Sequence, residues 1–97
     1  MATIAILDLQ LKDDSLETAH KVIHATLTDT RAFPGCMGAT VLIDSDDPAH
    51  VVIYETWESI ERDRAYRAWR ATPKGASDLG SILAARKLTQ FTVAEGV

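Results

Sequence analysis

The sequence has a single cysteine, Cys36, so no internal disulfide can staple the fold. A lone thiol reads as a small buried or half-buried apolar group and fits a reducing compartment. Long apolar runs are missing as well: nothing approaches the roughly 18 residues that cross a bilayer, so no membrane partner is expected. The opening MATIAILDLQLKDD has neither a basic start nor a small-residue cleavage site, and Asp8 and Gln10 interrupt its apolar stretch, which makes the expected location cytoplasmic. Positive charge is in deficit. Ten Lys and Arg stand against 14 Asp and Glu, a formal net charge of −4, and this argues against a nucleic-acid partner, whose footprint is normally basic. Internal repeats, low-complexity tracts and linkers are absent too, so residues 1–97 read as one domain.

What is present is ordinary for a folded globular chain, with 46% hydrophobic and 25% charged residues. A domain this short hides only about 60–65% of the surface its unfolded chain exposes, which favours a partner subunit. Thr3 to Leu11 (TIAILDLQL) places Ala5, Leu7, Leu9 and Leu11 on one parity and Ile4, Ile6, Asp8 and Gln10 on the other, the pattern of a strand covered on one face and partly covered on the other. After the polar turn Lys12-Asp13-Asp14, Ser15 can cap a helix that runs to about Thr30, with Glu17 at its positive end. Leu16, Ala19, Ile23, Thr26 and Leu27 form its apolar stripe, with Val22 at the edge. Phe33-Pro34-Gly35-Cys36-Met37-Gly38 reverses the chain.

Ala39 to Asp44 and His50 to Trp57 then read as two strands joined by the turn cluster Ser45-Asp46-Asp47-Pro48. Glu58 or Ser59 opens a charged helix that ends near Thr72-Pro73-Lys74-Gly75, a weaker helical stretch spans Ala76 to Ala85, and Lys87 to Ala94 closes the chain as a strand. The order predicts an α+β, ferredoxin-like βαββαβ fold: a four-stranded antiparallel sheet with helices on one face. Both parities of the strands carry apolar residues, Val52 and Tyr54 against Val51 and Ile53, so the second face also needs cover. A homodimer packed sheet to sheet, a dimeric α/β barrel, supplies it most simply.

The segments Thr30-Arg31-Ala32-Phe33-Pro34-Gly35-Cys36-Met37-Gly38, Asp46-Asp47-Pro48, Tyr54-Glu55-Thr56-Trp57-Glu58-Ser59, Ala65-Tyr66-Arg67-Ala68-Trp69 and Thr72-Pro73 together resemble the antibiotic-biosynthesis monooxygenase family. That family's pattern is a Pro-Gly turn, an acidic hairpin, Tyr-Glu-x-Trp-x-Ser and a helix ending near Thr-Pro. The resemblance implies a small dimer with one cavity per subunit between sheet and helices. It implies reactions that include cofactor-independent oxygenation of quinols and aromatic polyketides, haem degradation and isomerisation. In the oxygenase branch an electron-rich phenol, once deprotonated, passes an electron to O₂ itself, so no metal or flavin is required and the expected partner is a small aromatic substrate.

On this resemblance Trp57 matches the family's tryptophan, and alternation sets Ile53, Glu55 and Trp57 on one face, assigned to the cavity. Trp57 is either a stacking platform with an N–H to donate or a core side chain. Glu55 is either a base or orienting group, or half of a structural ion pair. Quinone-forming members commonly carry asparagine four residues before the tryptophan, where this chain has Ile53. The position often occupied by histidine in the second helix is Trp69 here. Trp57 and Trp69 stand about three residues further apart than is usual in the family, close to one extra helical turn. The haem-degrading branch also has a tryptophan at the Trp69 position, but it needs a later axial histidine and a first-strand asparagine. No histidine follows His50, and Leu7 occupies the strand position.

In the charged helix, Glu58–Arg62 and Asp63–Arg67 have the favourable i, i+4 order, consistent with a solvated face. The helical wheel nevertheless sets Arg62 beside Ala65, Tyr66 and Trp69 on the expected inner face, from which Arg62 would steady a phenolate or carboxylate with Tyr66 next to it. The expected catalytic pair is therefore Trp57 and Arg62, and the expected substrate-binding set is Ile53, Glu55, Tyr66 and Trp69. His20 and His24 have metal-compatible spacing but no third ligand nearby and read as surface residues, so no metal is expected. Asp8 reads as an exposed edge or turn residue rather than a pocket group.

Overall fold

In the computed structural model, which describes residues 1–12, 14 and 16–97, strand β1 (Thr3–Leu11) is followed by helix α1 (Leu16–Ala32), the hairpin β2 (Cys36–Asp44) and β3 (Asp47–Trp57), helix α2 (Ile60–Arg70), a 3-10 turn at Leu79–Ile82 and β4 (Leu83–Thr92). The expected cap Ser15 and turn residue Asp13 lie outside the described residues. The four strands form one sheet in the order β2-β3-β1-β4, every neighbouring pair antiparallel. This is the expected ferredoxin-like βαββαβ arrangement. The molecule measures 42 × 35 × 18 Å, and the short axis is the thickness of one sheet plus one layer of helix.

Register decides which side chains meet the helices. Leu7 lies opposite Ile53 on β3 and Leu88 on β4, and Ala5 opposite Glu55 and Gln90, so the odd positions of β1 and β3 share the helix side. There Leu9, Leu11, Ala49, Val51 and Ile53 pack with Ala19, Ile23 and Leu27 of α1 and with Leu79 and Ile82 into the aliphatic core. The α1 stripe is the one the sequence gives by periodicity, with Thr30 added at its end. A second cluster, Ala5, Trp57 and Tyr66 with Phe33, Cys36 and Trp69 against them, closes the other end of the sheet.

Three differences from expectation have physical causes. The hairpin turn is two residues long, because Asp44 Oδ1 accepts the N–H of Asp46 at 2.9 Å and Asp47 Oδ1 that of Ala49 at 3.0 Å, which lets β3 begin at Asp47. Pro48 is tolerated there because the register breaks between Ile43 and Asp44 and β1 pairs β3 only as far as His50. The helix expected over Ala76–Ala85 contracts to the 3-10 turn, and Leu83–Ala85 join β4 instead.

Two glycines are needed where they stand. Gly35 has φ 93°, and a Cβ there would lie 2.6 Å from Arg62 Cβ, while its carbonyl accepts Glu58 N–H at 2.9 Å to tie the α1–β2 turn to the start of α2. A Cβ on Gly75 would strike the backbone of Trp69. Ser59 caps α2 by accepting the N–H of Arg62 at 3.2 Å.

The even face of the sheet is open. Ile4, Ile6, Val52 and Thr56 are only half-covered, and Leu42, Tyr54 and Phe91 are 49%, 39% and 49% exposed. Asp8 lies on this face, where His50 bridges two carboxylates: its Nε2 is 2.9 Å from Asp8 Oδ1 and its Nδ1 2.7 Å from Asp44 Oδ2. The Asp44 bond, followed by the Asp8 bond, lifts His50 above the ordinary histidine range. Cys36 is a free, half-buried thiol, and burial pushes it up, which leaves it mostly protonated.

Candidate active site

Between the helix side of β1, β3 and β4 and the inner faces of α1 and α2 lies a cavity of about 630 Å³. Its walls include Leu7, Leu27, Ile53, Leu79 and Leu88, with Tyr66, Glu55, Thr26 and Thr30 as polar groups and Arg67, Arg70, Arg86 and Lys87 as cations. Such a chamber, apolar with a few fixed polar groups, suits a small planar molecule.

At its inner end Glu55 is 1% exposed, and its Oε1 accepts two hydrogen bonds, from Trp57 Nε1 at 3.1 Å and from Arg67 Nη2 at 2.5 Å. Arg67 Nε also lies 3.0 Å from Asp63 Oδ1, and Asp63 Oδ2 accepts Gln90 Nε2 at 2.7 Å. One guanidinium thus holds two buried carboxylates. Burial lifts the Glu55 carboxyl above its ordinary range and outweighs the opposing pull of Arg67 and of the Trp57 bond. Glu55 Oε2 takes part in none of the hydrogen bonds among the described residues, so it is the oxygen left for a ligand.

Tyr66 is held just as firmly. Its hydroxyl pairs with Thr30 Oγ1 at 2.6 Å and accepts Arg70 Nε at 2.7 Å. Arg70 spends its remaining donors on the carbonyls of Gly75 and Thr26, at 3.2 and 2.7 Å. Tyr66, Trp57, Phe33 and Trp69 form one aromatic cluster, with the Trp57 and Tyr66 centroids 4.9 Å apart.

Of the residues singled out from sequence, Ile53, Glu55 and Tyr66 come together on the cavity wall. Trp57 does not line it: the indole is fully buried and reaches the site only through its bond to Glu55. Trp69 is half-buried behind Tyr66, under the guanidinium of Arg70 and over Gly75. The inward placement of Arg62 needs correction, because its side chain is 54% exposed and sits 3.6 Å from Glu58 on the outer surface. Its stem instead packs against Gly35. The inner face of α2 is Asp63, Tyr66, Arg67 and Arg70, and Ala65 is exposed. A search for an apolar stripe misses that face, because its charges are buried as a network rather than solvated. The Asp63–Arg67 spacing, with Glu55 opposite on β3, was the available signal.

His20 and His24 are exposed beside a shallow hollow of about 230 Å³ between α1 and β2, and among the described residues no group of three or more His, Cys, Asp or Glu can hold a metal. No helix among the described residues is long and apolar enough to cross a membrane.

Comparison with known proteins agrees with this fold. No curated protein matches the sequence. Among solved structures, a candidate antibiotic biosynthesis monooxygenase from Deinococcus radiodurans superposes with a TM-score of 0.81 at 18% identity, over 98% of this chain and 95% of that one. Rv0793 from Mycobacterium tuberculosis gives 0.78 at 19% identity over 100% of both chains, and a candidate antibiotic biosynthesis monooxygenase from Nitrosomonas europaea gives 0.79 at 20% identity over 94% and 97%. These likenesses establish a shared fold. The family profile described as antibiotic biosynthesis monooxygenase matches residues 3–75, from β1 through α2 to the turn that seats Trp69, and the chain belongs to that family.

Proposed function

We propose that this protein is a cofactor-independent monooxygenase for a small aromatic phenol of quinol or polyketide-like character, working as a homodimer. One observation carries the reading: Glu55, a buried carboxylate whose Oε2 is outside the hydrogen bonds that hold Oε1, lines an otherwise mainly apolar chamber large enough for a fused-ring substrate. The ring packs against Leu7, Leu27, Ile53 and Leu88. Glu55 Oε2 takes the phenol proton, a transfer helped by the raised affinity of that carboxyl for protons. Arg67 keeps the counter-charge beside it.

The phenolate then gives one electron to O₂, and the phenoxyl radical and superoxide join at a ring carbon that bears hydrogen. Glu55 returns its proton to the peroxide. Loss of that carbon's hydrogen with cleavage of the O–O bond leaves a carbonyl and water, so one oxygen atom enters the product and the other leaves as water. Positioning and a dry wall are the protein's share of the work.

The open sheet face supports the dimer, since Leu42, Tyr54, Phe91, Ile4, Ile6 and Val52 form an apolar surface that a second copy would cover. Ile53 favours a second reading, an isomerase or other non-oxidative enzyme on the same scaffold, because it puts an apolar group where quinone-forming relatives commonly carry asparagine. Parallel aerobic and anaerobic incubations with naphthols, anthrones and hydroquinones separate these. Oxygen uptake with a product that gains one oxygen and loses two hydrogens, abolished in Glu55→Gln, is the expected result. An isobaric product formed without O₂ supports the second reading, and binding without any product rejects both.

A further inference from the structure

Resting on the reading of the cavity as the ligand site, we infer that its preferred ligand carries a carboxylate as well as an aromatic ring, and that Arg86 on β4 receives it. The chain as a whole is acidic, yet the cavity lining includes Arg67, Arg70 and Arg86 on the helix side, with Lys87 at its β4 edge, against one carboxylate, Glu55. A wall of one sign concentrates ligands of the other.

These cations are not equivalent. Arg67 is already committed to Glu55 and Asp63. Arg70 is a fixed strut whose donors go to Tyr66, Gly75, Thr26 and Thr30, with Asp29 3.7 Å away. Lys87 pairs in register with Asp8, on the strand parity of the open face, and there supplies the charge that guards an edge strand. Arg86 remains. It pairs in register with Leu9 on the helix side, lines the cavity, and its exposed side chain takes part in no hydrogen bond or ion pair among the described residues.

Two residues along the same face of β4 stands Leu88, half-exposed and opposite Leu7. Their side chains therefore leave the same face of β4 about 7 Å apart, near enough for one bicyclic aromatic acid to touch both. The apolar wall of Leu7 and Leu88 takes the ring, and the guanidinium of Arg86 takes the acid in a bidentate pair.

Naphthoate and its neutral isostere naphthamide test this by calorimetric titration of the wild type, Arg86→Gln and Arg64→Gln. Arg64 is an exposed arginine of α2 outside the cavity, so its loss changes the net charge equally without touching the wall. The wild type is expected to bind naphthoate about tenfold more tightly than naphthamide, the usual margin of one charge-assisted pair. Arg86→Gln should bring the two affinities within about twofold of each other, and Arg64→Gln should leave the margin intact. Equal binding of the two probes by the wild type overturns the inference while leaving the cavity as a ligand site. A margin that survives Arg86→Gln, or that Arg64→Gln erodes equally, overturns the role of Arg86. Failure of both probes to bind overturns the cavity reading and this inference with it.

Discussion

Replacing Arg67 by methionine keeps the apolar stem of the side chain and removes its charge, which isolates what the guanidinium does. The two carboxylates it leaves behind are 1% exposed at Glu55 and 0% at Asp63, so water cannot replace it. Removing one partner of such a buried pair costs about 3–5 kcal/mol, a large part of the roughly 5–15 kcal/mol that holds a domain together. With a urea dependence of about 2 kcal/mol per molar, a loss near 4 kcal/mol lowers the unfolding midpoint by about 2 M. Trp57 and Trp69 report the transition by fluorescence, at one protein concentration because self-association adds stability by mass action.

The loss must also depend on pH. In the wild type Arg67 opposes the upward pull of burial on Glu55, and without it only the Trp57 bond is left to oppose burial and Asp63. The folded variant then retains a proton that the unfolded chain releases near the ordinary carboxylate value, so its stability falls as pH rises above that value and recovers as pH is lowered. Glu55→Gln in the Arg67→Met background replaces that carboxyl with an amide that needs no proton to be neutral, and so restores part of the loss at neutral pH. A loss under about 1 kcal/mol, or one that is equal near pH 5 and near pH 7.5, would refute the reasoning.

Gly35→Ala should destabilise by about 1–3 kcal/mol, because φ 93° and the stem of Arg62 both oppose a Cβ, and thermal unfolding should fall by roughly 4–8 °C per kcal/mol. His50 should titrate above its ordinary 6.5 in imidazole NMR spectra and fall back in Asp44→Asn, and an unchanged value in that variant would reject the bridge to Asp44. Stability from a charged His50 is fully present below the unfolded value and lost as pH rises through the folded one. The Asp44 contribution runs the other way, being lost as pH falls through its lowered value. Phe91→Arg with Leu42→Arg should shift the protein from dimer to monomer in light scattering, since both side chains are half-exposed on the open face; a wild type that is already monomeric sinks the dimer.

Strand and helix positions on the helix side were legible because periodicity reports burial directly. The Thr3–Leu11 parity and the Leu16–Leu27 stripe appear in the structure as the sequence patterns them. The inner face of α2 was not legible, because Asp63, Arg67 and Arg70 are buried with partners from other elements, and a hydrophobicity wheel turns such residues outward. That one rotation accounts for two misplacements, Arg62 assigned inward and Arg67 assigned to a solvated face. Alternation correctly set Ile53, Glu55 and Trp57 on one face, but could not show that the chamber ends at Glu55 and leaves Trp57 behind it. The 3-10 turn at Leu79–Ile82 eluded the helical pattern because Gly80 and Ser81 lower helix propensity where the chain must soon enter β4.

An aromatic ligand should sit in the chamber between the sheet and the helices. Methyl NMR spectra recorded during titration with a hydroxynaphthalene test it most directly. Saturable shifts confined to Leu7, Leu27, Ile53, Leu79 and Leu88, with Leu42 on the open face and Ile43 beside the His20–His24 hollow unmoved, are the predicted result. Shifts centred on Leu42 or Ile43, with Leu7, Ile53, Leu79 and Leu88 silent, would contradict it.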